Sequence, residues 1–271
     1  MKARDVRYAR QDFHFALGTF FRPLPRGGRG KERIEIIYEN SDAKIRIVSP
    51  WKLGIDDESV LLSVLALAGP FGEILSINDR HSIAEFFRKG LGETAREEIL
   101  IIETSLYRLC KLTGKKDGGK TKKDVERSME RLAAVTVIVE IDNNKWSSHL
   151  LSFYRDKERQ LKIAINGRNT KAILGDVNHA HINLEERAEL KNDTAKAVHR
   201  RLSGWIWPGH TGRIGIETLI LKIFGEENFA QNLCKRRSLV RNALMAMNRM
   251  YSWNITIEHD MILIRRGKLR V

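Results

Sequence analysis

The chain has 271 residues, 48 Lys and Arg against 34 Asp and Glu, a formal net charge of +14 and a sequence pI of about 9.9. This length holds one large domain or two small ones with real cores, and so basic a balance favours a polyanionic partner, because each neutralised phosphate releases counterions. No apolar run approaches the roughly 18 residues of a membrane span and no signal peptide is visible, which argues against a membrane protein and for a cytoplasmic one.

Residues 1–33 read as a basic N-terminal arm broken by RPLPRGGRG, where Pro and Gly interrupt regular structure, although DFHFALGTFF inside it is apolar enough to pack. The arm is expected to trail as a tail, to lie along phosphates or to dock between domains. RIEIIYENSDAKIRIVS has β-branched runs on both sides of Asn40–Ser41–Asp42 and predicts a hairpin. Asp56 is the expected N-cap of a helix over 57–69, whose VLLSVLALAG stretch marks it as buried core. ILIIE (99–103) predicts a strand. SLYRLCKLTG and TKKDVERSMERLAAV predict a helix pair, followed by a hairpin made of VTVIVEID and its return WSSHLLSFY. QLKIAI (160–165) adds a strand, and a domain boundary is placed near Asn166–Thr170.

Beyond it come a helix around NTKAILG, a strand-like HINL and a strong helix TAKAVHRRLSGWIW. Asn192 or Asp193 caps that helix and Pro208–Gly209 ends it. Its apolar positions Ala197, Val198, Leu202, Trp205 and Ile206 make it a second core helix. ETLILKIFG and NLCKRRSLVRNALMAMNRM then form a second helix pair, with WNITIEHD and MILIRR as a second hairpin.

The same pattern therefore occurs twice. The offset that places Val125 on Ala243 also places Met129 on Met247, Leu132 on Met250 and Glu140 on Glu258. A helix-turn-helix followed by a hairpin wing is a DNA-reading unit. The expected fold class is α+β with tandem winged-helix domains: the arm at 1–33, a first winged-helix domain at 34–166 and a second at 167–271.

Val125, Met129 and Leu132 form one buried stripe, which leaves Lys120, Lys123, Arg127 and Glu130 on the opposite face. The matching row in the second helix is Ser238, Arg241, Met245 and Asn248, flanked by Arg236, Arg237 and Asn242. Arg reads guanine, Asn reads adenine and an apolar tip meets the thymine methyl. Lys120, Thr121, Lys122 and Lys123 cluster where a helix N-terminus also favours phosphate. Asn143, Asn144 and Lys145 mark the first wing tip, and Arg265 and Arg266 the second return strand. The bland alternative is that these basic residues only solvate exposed helix faces; the repeated context favours DNA contact.

GKKDGGKT (114–121) matches the phosphate-loop pattern letter for letter, but a helix-like segment with Leu106, Leu109 and Leu112 precedes it instead of a buried strand, so no nucleotide site is assigned. His179 and His181 lack a partner carboxylate or cysteine cluster and read as a surface loop. Cys110 and Cys234 have no metal-type spacing and read as reduced core or near-core thiols.

HRRLSGWIWPGHTGRIGIETL (199–219), LGIDD (53–57), LALAGPFG (65–72) and ERLAAVTVI (130–138) resemble, in the same order, blocks of the replication protein C family of IncQ-type plasmids. The resemblance implies a plasmid replication initiator that binds directly repeated double-stranded origin sites (iterons), opens the neighbouring DNA and recruits a plasmid-encoded helicase and primase. It further implies no enzymatic activity, and no cofactor is expected; two unlike readers on one chain predict one monomer per iteron. The chain departs from the family's pattern at the Lys and Thr of GKKDGGKT, which weakens the nucleotide reading further. A winged-helix transcriptional regulator or architectural DNA binder is the alternative.

Overall fold

A computed structural model describes residues 6–25, 33–39, 44–75, 82–92, 98–116, 118–141, 143–156, 160–225 and 232–269. The expected turn at Asn40–Ser41–Asp42, the basic residues Lys2, Arg4, Arg26 and Arg29 of the arm, and Asp117 lie outside the described residues. Beyond its acidic first turn, helix α2 (Ile55–Phe71) carries apolar residues on every side, and a helix of that kind must be covered all round. It is: from Ile55 to Ala68 only Asp56 escapes burial. The cap is not Asp56 but Gly54, whose N–H donates to the buried Asp57 carboxylate at 2.9 Å.

The other Asp57 oxygen accepts from Arg131 Nε at 2.9 Å and Nη2 at 2.6 Å, so the residue that starts α2 also clamps helix α5 (Gly119–Ala133) onto it. Helix α4 (Leu106–Leu112) completes the first helix pair, with Leu109 and Cys110 buried.

Two antiparallel sheets flank this pair. One runs β3-β4-β8-β9, from β3 (Ile34–Glu39), β4 (Lys44–Ser49), β8 (Thr136–Ile141) and β9 (Asn144–His149). The other runs β10-β11-β7-β6, from β6 (Glu73–Leu75), β7 (Ile99–Thr104), β10 (Leu151–Arg155) and β11 (Leu161–Ile165). The expected single return strand WSSHLLSFY is broken at Leu150. Its N–H donates to Val135 O at 2.8 Å and its carbonyl accepts from Asn166 N, which turns the chain from one sheet into the other.

The four-residue apolar run of β7 is explained by burial on both faces. Leu100 and Ile102 face the main core, while Ile99 and Ile101 pack with Phe87 and Leu91 of helix α3 (Ser82–Leu91). Neither α3 nor β6 was read from the sequence.

The C-terminal half contains α6 (Gly167–Leu174), β12 (His179–Asn183), α7 (Leu184–Glu189), α8 (Asp193–Trp205), β13 (Thr211–Gly215), α9 (Ile216–Phe224), α10 (Leu233–Met247), β14 (Trp253–Glu258) and β15 (Met261–Arg266). Asn192, as expected, caps α8 by accepting from Ala195 N at 2.8 Å. Its last three strands form a sheet of order β13-β15-β14, so the strand before the second helix pair returns beside the final one. The two copies of the sequence pattern therefore share their helix pairs but not their sheets. In the first copy the hairpin β8–β9 pairs with β4, and β7 pairs elsewhere with β11. NHAH is no loop either, since His179 and His181 lie on β12.

The described part of the arm is built into the fold. Strand β1 (Tyr8–Asp12) pairs antiparallel with β12, helix α1 (Phe13–Leu17) lies on α8, and β2 (Phe21–Arg22) pairs parallel with β5 (Leu53–Gly54) at the start of α2. Phe15, Phe20 and Phe21 are fully buried. Gly204 in α8 permits this docking, because a Cβ there would come within 2.9 Å of Ala16 Cβ.

Arg200 has no exposed surface. Its guanidinium donates to the carbonyls of Phe15, Ala16, Gly18 and Phe21 at 2.7–3.1 Å, which are the groups that end α1 and lead into β2. Its Nε pairs with Glu58, whose second oxygen meets Arg187 Nη2 at 2.5 Å. A buried carboxylate on α2 thus holds arginines from α7 and α8, joining the two halves through the arm.

Candidate nucleic-acid interface

Helix α10 buries Val240, Ala243, Leu244 and Met247, and the 3.6-residue period turns Ser238, Arg241, Asn242 and Met245 outward. Met245 is 56% exposed, an apolar tip among polar neighbours on the outward face. Arg236 stacks over the Phe224 ring, 5.0 Å from its centroid. Arg237 pairs with Glu217 in the first turn of α9, and its other terminal nitrogen lies 3.8 Å from Asp260. The Glu217 hydrogen bond pushes the Arg237 pKa up. Arg241 donates to His259 O at 3.2 Å and also lies 3.8 Å from Asp260. The β14–β15 turn is pinned in turn by Ile216 N donating to Asp260 O at 2.8 Å. One helix face, the start of α9 and a hairpin turn are thereby brought together.

Helix α5 repeats the division: Val125, Ser128, Met129 and Leu132 are buried, and Lys120, Lys123, Arg127 and Glu130 are exposed. Lys122 is half-buried, and Thr121 donates its hydroxyl to Lys116 O at 2.9 Å. Arg127 lies 3.9 Å from Asp124, a loose pair. Arg155 on β10 braces the helix through Glu126 at 2.5 Å. Helix α4, not a strand, precedes the GKKDGGKT turn, so the strand–loop–helix frame of a phosphate loop is missing there. Asn143, Asn144 and Lys145 are exposed at the β8–β9 turn; Asn143 takes a left-handed φ of 64° and Lys145 lies 3.6 Å from Glu140.

The Replication protein C (RepC) family model matches residues 3–262. The chain belongs to the RepC family. Its fold resembles crystal structures of domains 2 and 3 of RctB. One, a selenomethionine derivative, has a TM-score of 0.56 and 10% identity over 95% of this chain and 99% of that one. The other has a TM-score of 0.53 and 11% identity over 94% and 96%. At such identities the likeness concerns the fold. A comparison with curated proteins returns no match. Membership of the family supports a plasmid replication initiator. Among the described residues, no helix of this RepC chain is long and apolar enough to cross a membrane, and no group of three metal-binding side chains occurs.

One expected contact residue needs correction. Arg266 is 4% exposed; it donates to Ser203 O at 2.7 Å, Ile206 O at 2.8 Å and His181 O at 2.5 Å, and its guanidinium lies over the Trp253 ring. It is a core residue joining β15 to α8 and β12, because alternation along MILIRR turns every second side chain inward. Arg265 is exposed but pairs across from Thr211 and Asn254, at the far end of the hairpin from its turn. Cys234 is also exposed on α10, not near-core.

The chain also holds a half-buried carboxylate knot that sequence reasoning missed. Glu186 accepts from Ser252 Oγ, from Trp253 Nε1 at 2.8 Å and from His199 Nε2 at 2.9 Å. Burial opposes its charge, but these hydrogen bonds and the His199 interaction win and hold it at about 2. Burial in turn pushes His199 down despite Glu186. His181 is pushed down to about 4 by burial, then by His179, Arg10 and Arg266.

Groups with depressed folded pKa values leave the unfolded chain to take protons first, so stability is lost as pH drops. The melting temperature should be level above the ordinary histidine value of 6.5 and fall as pH drops towards 4. It should fall again between 4.5 and about 2 as Glu186 protonates. Thermal melts of His181→Gln should lose part of the first decline; a melting temperature level from pH 7 to 4 would contradict the assignment.

Proposed function

We propose that this chain is a sequence-specific double-stranded DNA-binding protein that reads directly repeated plasmid origin sites through two winged-helix units, one around α4–α5 and one around α9–α10. The observation that carries the reading is the second unit. A strand, two helices and a hairpin follow in order with sheet order β13-β15-β14, and the second helix exposes Ser238, Arg241, Asn242 and Met245 beside the hairpin turn. Arg241 and Asn242 carry base-edge hydrogen bonding, and Met245 offers an apolar contact to thymine. Lys120, Lys122, Lys123 and Arg127 of α5 act mainly on phosphates, and Asn143, Asn144 and Lys145 add backbone contacts from the first hairpin.

In this reading the chain opens neighbouring DNA by binding, recruits a helicase and a primase, and performs no catalysis of its own. Phosphate contacts make affinity depend on salt, with a slope of about 0.9 per contact. Lys123→Ala should flatten the plot of log affinity against log salt by about one unit while leaving base preference intact. An unaltered slope on random-sequence duplex would remove Lys123 from the interface. A symmetric, two-chain footprint on a palindrome would instead favour a transcriptional regulator.

A further inference from the structure

Two carboxylates stand on the very surface that the proposed function presents to phosphates. Glu217 is 50% exposed and Asp260 63%, and between them they engage Arg237 and Arg241. Stability accounts for little of them, because ion pairs this exposed contribute little to folding and Glu217 adds only a small helix-dipole contribution in the first turn of α9. The backbone already fixes the hairpin turn against α9 through the Ile216–Asp260 hydrogen bond of 2.8 Å. A negative charge facing DNA costs affinity through like-charge repulsion. Something other than affinity or folding is therefore served by an acid on each side of Arg237.

We propose that Glu217 and Asp260 are specificity-determining residues that bracket Arg237 and Arg241 and suppress binding to non-cognate DNA; this rests on the reading of α10 as the DNA-contacting helix. Away from the cognate site, both guanidiniums stay neutralised against α9 and the hairpin turn and add little to sequence-independent phosphate attraction. At the cognate site, directed hydrogen bonds to a base edge outcompete the weak exposed pairs and the arginines change partners. The acids thus cost wrong DNA more than right DNA, which is discrimination by a repulsive element.

The test compares the full wild-type chain with Glu217→Gln/Asp260→Asn on two duplexes across a salt series: one of random sequence, and one selected by the wild type from a random pool. The double variant should bind random duplex about two- to tenfold more tightly, with a salt slope steeper by about one to two units. Its affinity for the selected duplex should change less, so the specificity ratio falls. Glu103→Gln/Asp176→Asn makes the same charge change on β7 and beyond α6, freeing Lys162 from Glu103, and should alter both duplexes less and equally.

An unchanged ratio in the bracket variant, or an equal fall in the control, overturns the proposal. Arg237→Ala/Arg241→Ala, measured alongside, separates the two ideas. If the arginine variant loses the selected duplex while the acid variant keeps the wild-type ratio, the bracket alone is wrong. If the arginine variant binds as wild type does, α10 is not the reader and the bracket falls with it.

Discussion

Glu58→Gln should destabilise the chain by about 3–5 kcal/mol, the usual cost of removing one member of a buried ion pair, and lower its melting temperature by on the order of 10 °C. Glu58 is fully buried, and its two oxygens hold Arg187 and Arg200, themselves 3% and 0% exposed. The amide keeps the size but not the charge, leaving two buried guanidiniums facing a neutral group that also brings a donor of its own. The effect reaches the arm, because Arg200 supports the carbonyls of Phe15, Ala16, Gly18 and Phe21. Glu126→Gln provides the comparison. It makes the same chemical change in the half-exposed pair with Arg155 and should cost no more than about 1 kcal/mol. Equal losses in the two variants, measured by denaturant melts, would mean that the Glu58 cluster does not join the halves.

Arg241→Ala should weaken binding to the cognate duplex by about 1–3 kcal/mol and relax preference at one base pair, while binding to random duplex changes less. The motive is placement. Arg241 is 47% exposed in the outward row of α10 with Asn242 and Met245, and its present partners, His259 O and Asp260, are weak enough to yield. Arg237→Ala should act in the same direction. Arg266→Met should do the reverse, lowering stability without altering base preference, because its guanidinium lies in the core. A competition assay in which Arg241→Ala keeps wild-type preference, or Arg266→Met changes it, would undo the assignment of the face.

Elements whose apolar period matches a single buried face were legible in the sequence: the 34–49 hairpin, α5, α10 and the final hairpin. So was the division of α5 and α10 into buried and exposed rows. What stayed hidden depends on partners distant along the chain. Strand β1 pairs with β12 across most of the first half, and no local pattern signals it. Helix α8 is packed by α10 on one side and α1 on another. Its polar His199 and Arg200 are therefore buried although their spacing reads as surface. Arg200, Gly204 and Glu217 all fall within HRRLSGWIWPGHTGRIGIETL, the segment that carried the family resemblance, yet their separate tasks appear only once α1, α2 and α10 are in place. The repeated pattern held for the helix pairs and hairpins but did not extend to what each hairpin joins, which is β4 on the edge of β8 in the first copy and β13 on β15 in the second.

The claim that one chain reads one asymmetric repeat through two unlike helix pairs is tested most directly by hydroxyl-radical footprinting of a single minimal repeat, with the stoichiometry of the same complex measured by sedimentation. One chain per repeat is expected, with two protected stretches of unequal pattern centred roughly 10 base pairs apart, one turn of the duplex. Lys123→Ala should thin the first stretch and Arg241→Ala the second. Two chains on one repeat with a symmetric footprint, or a single stretch unaffected by either change, would contradict it.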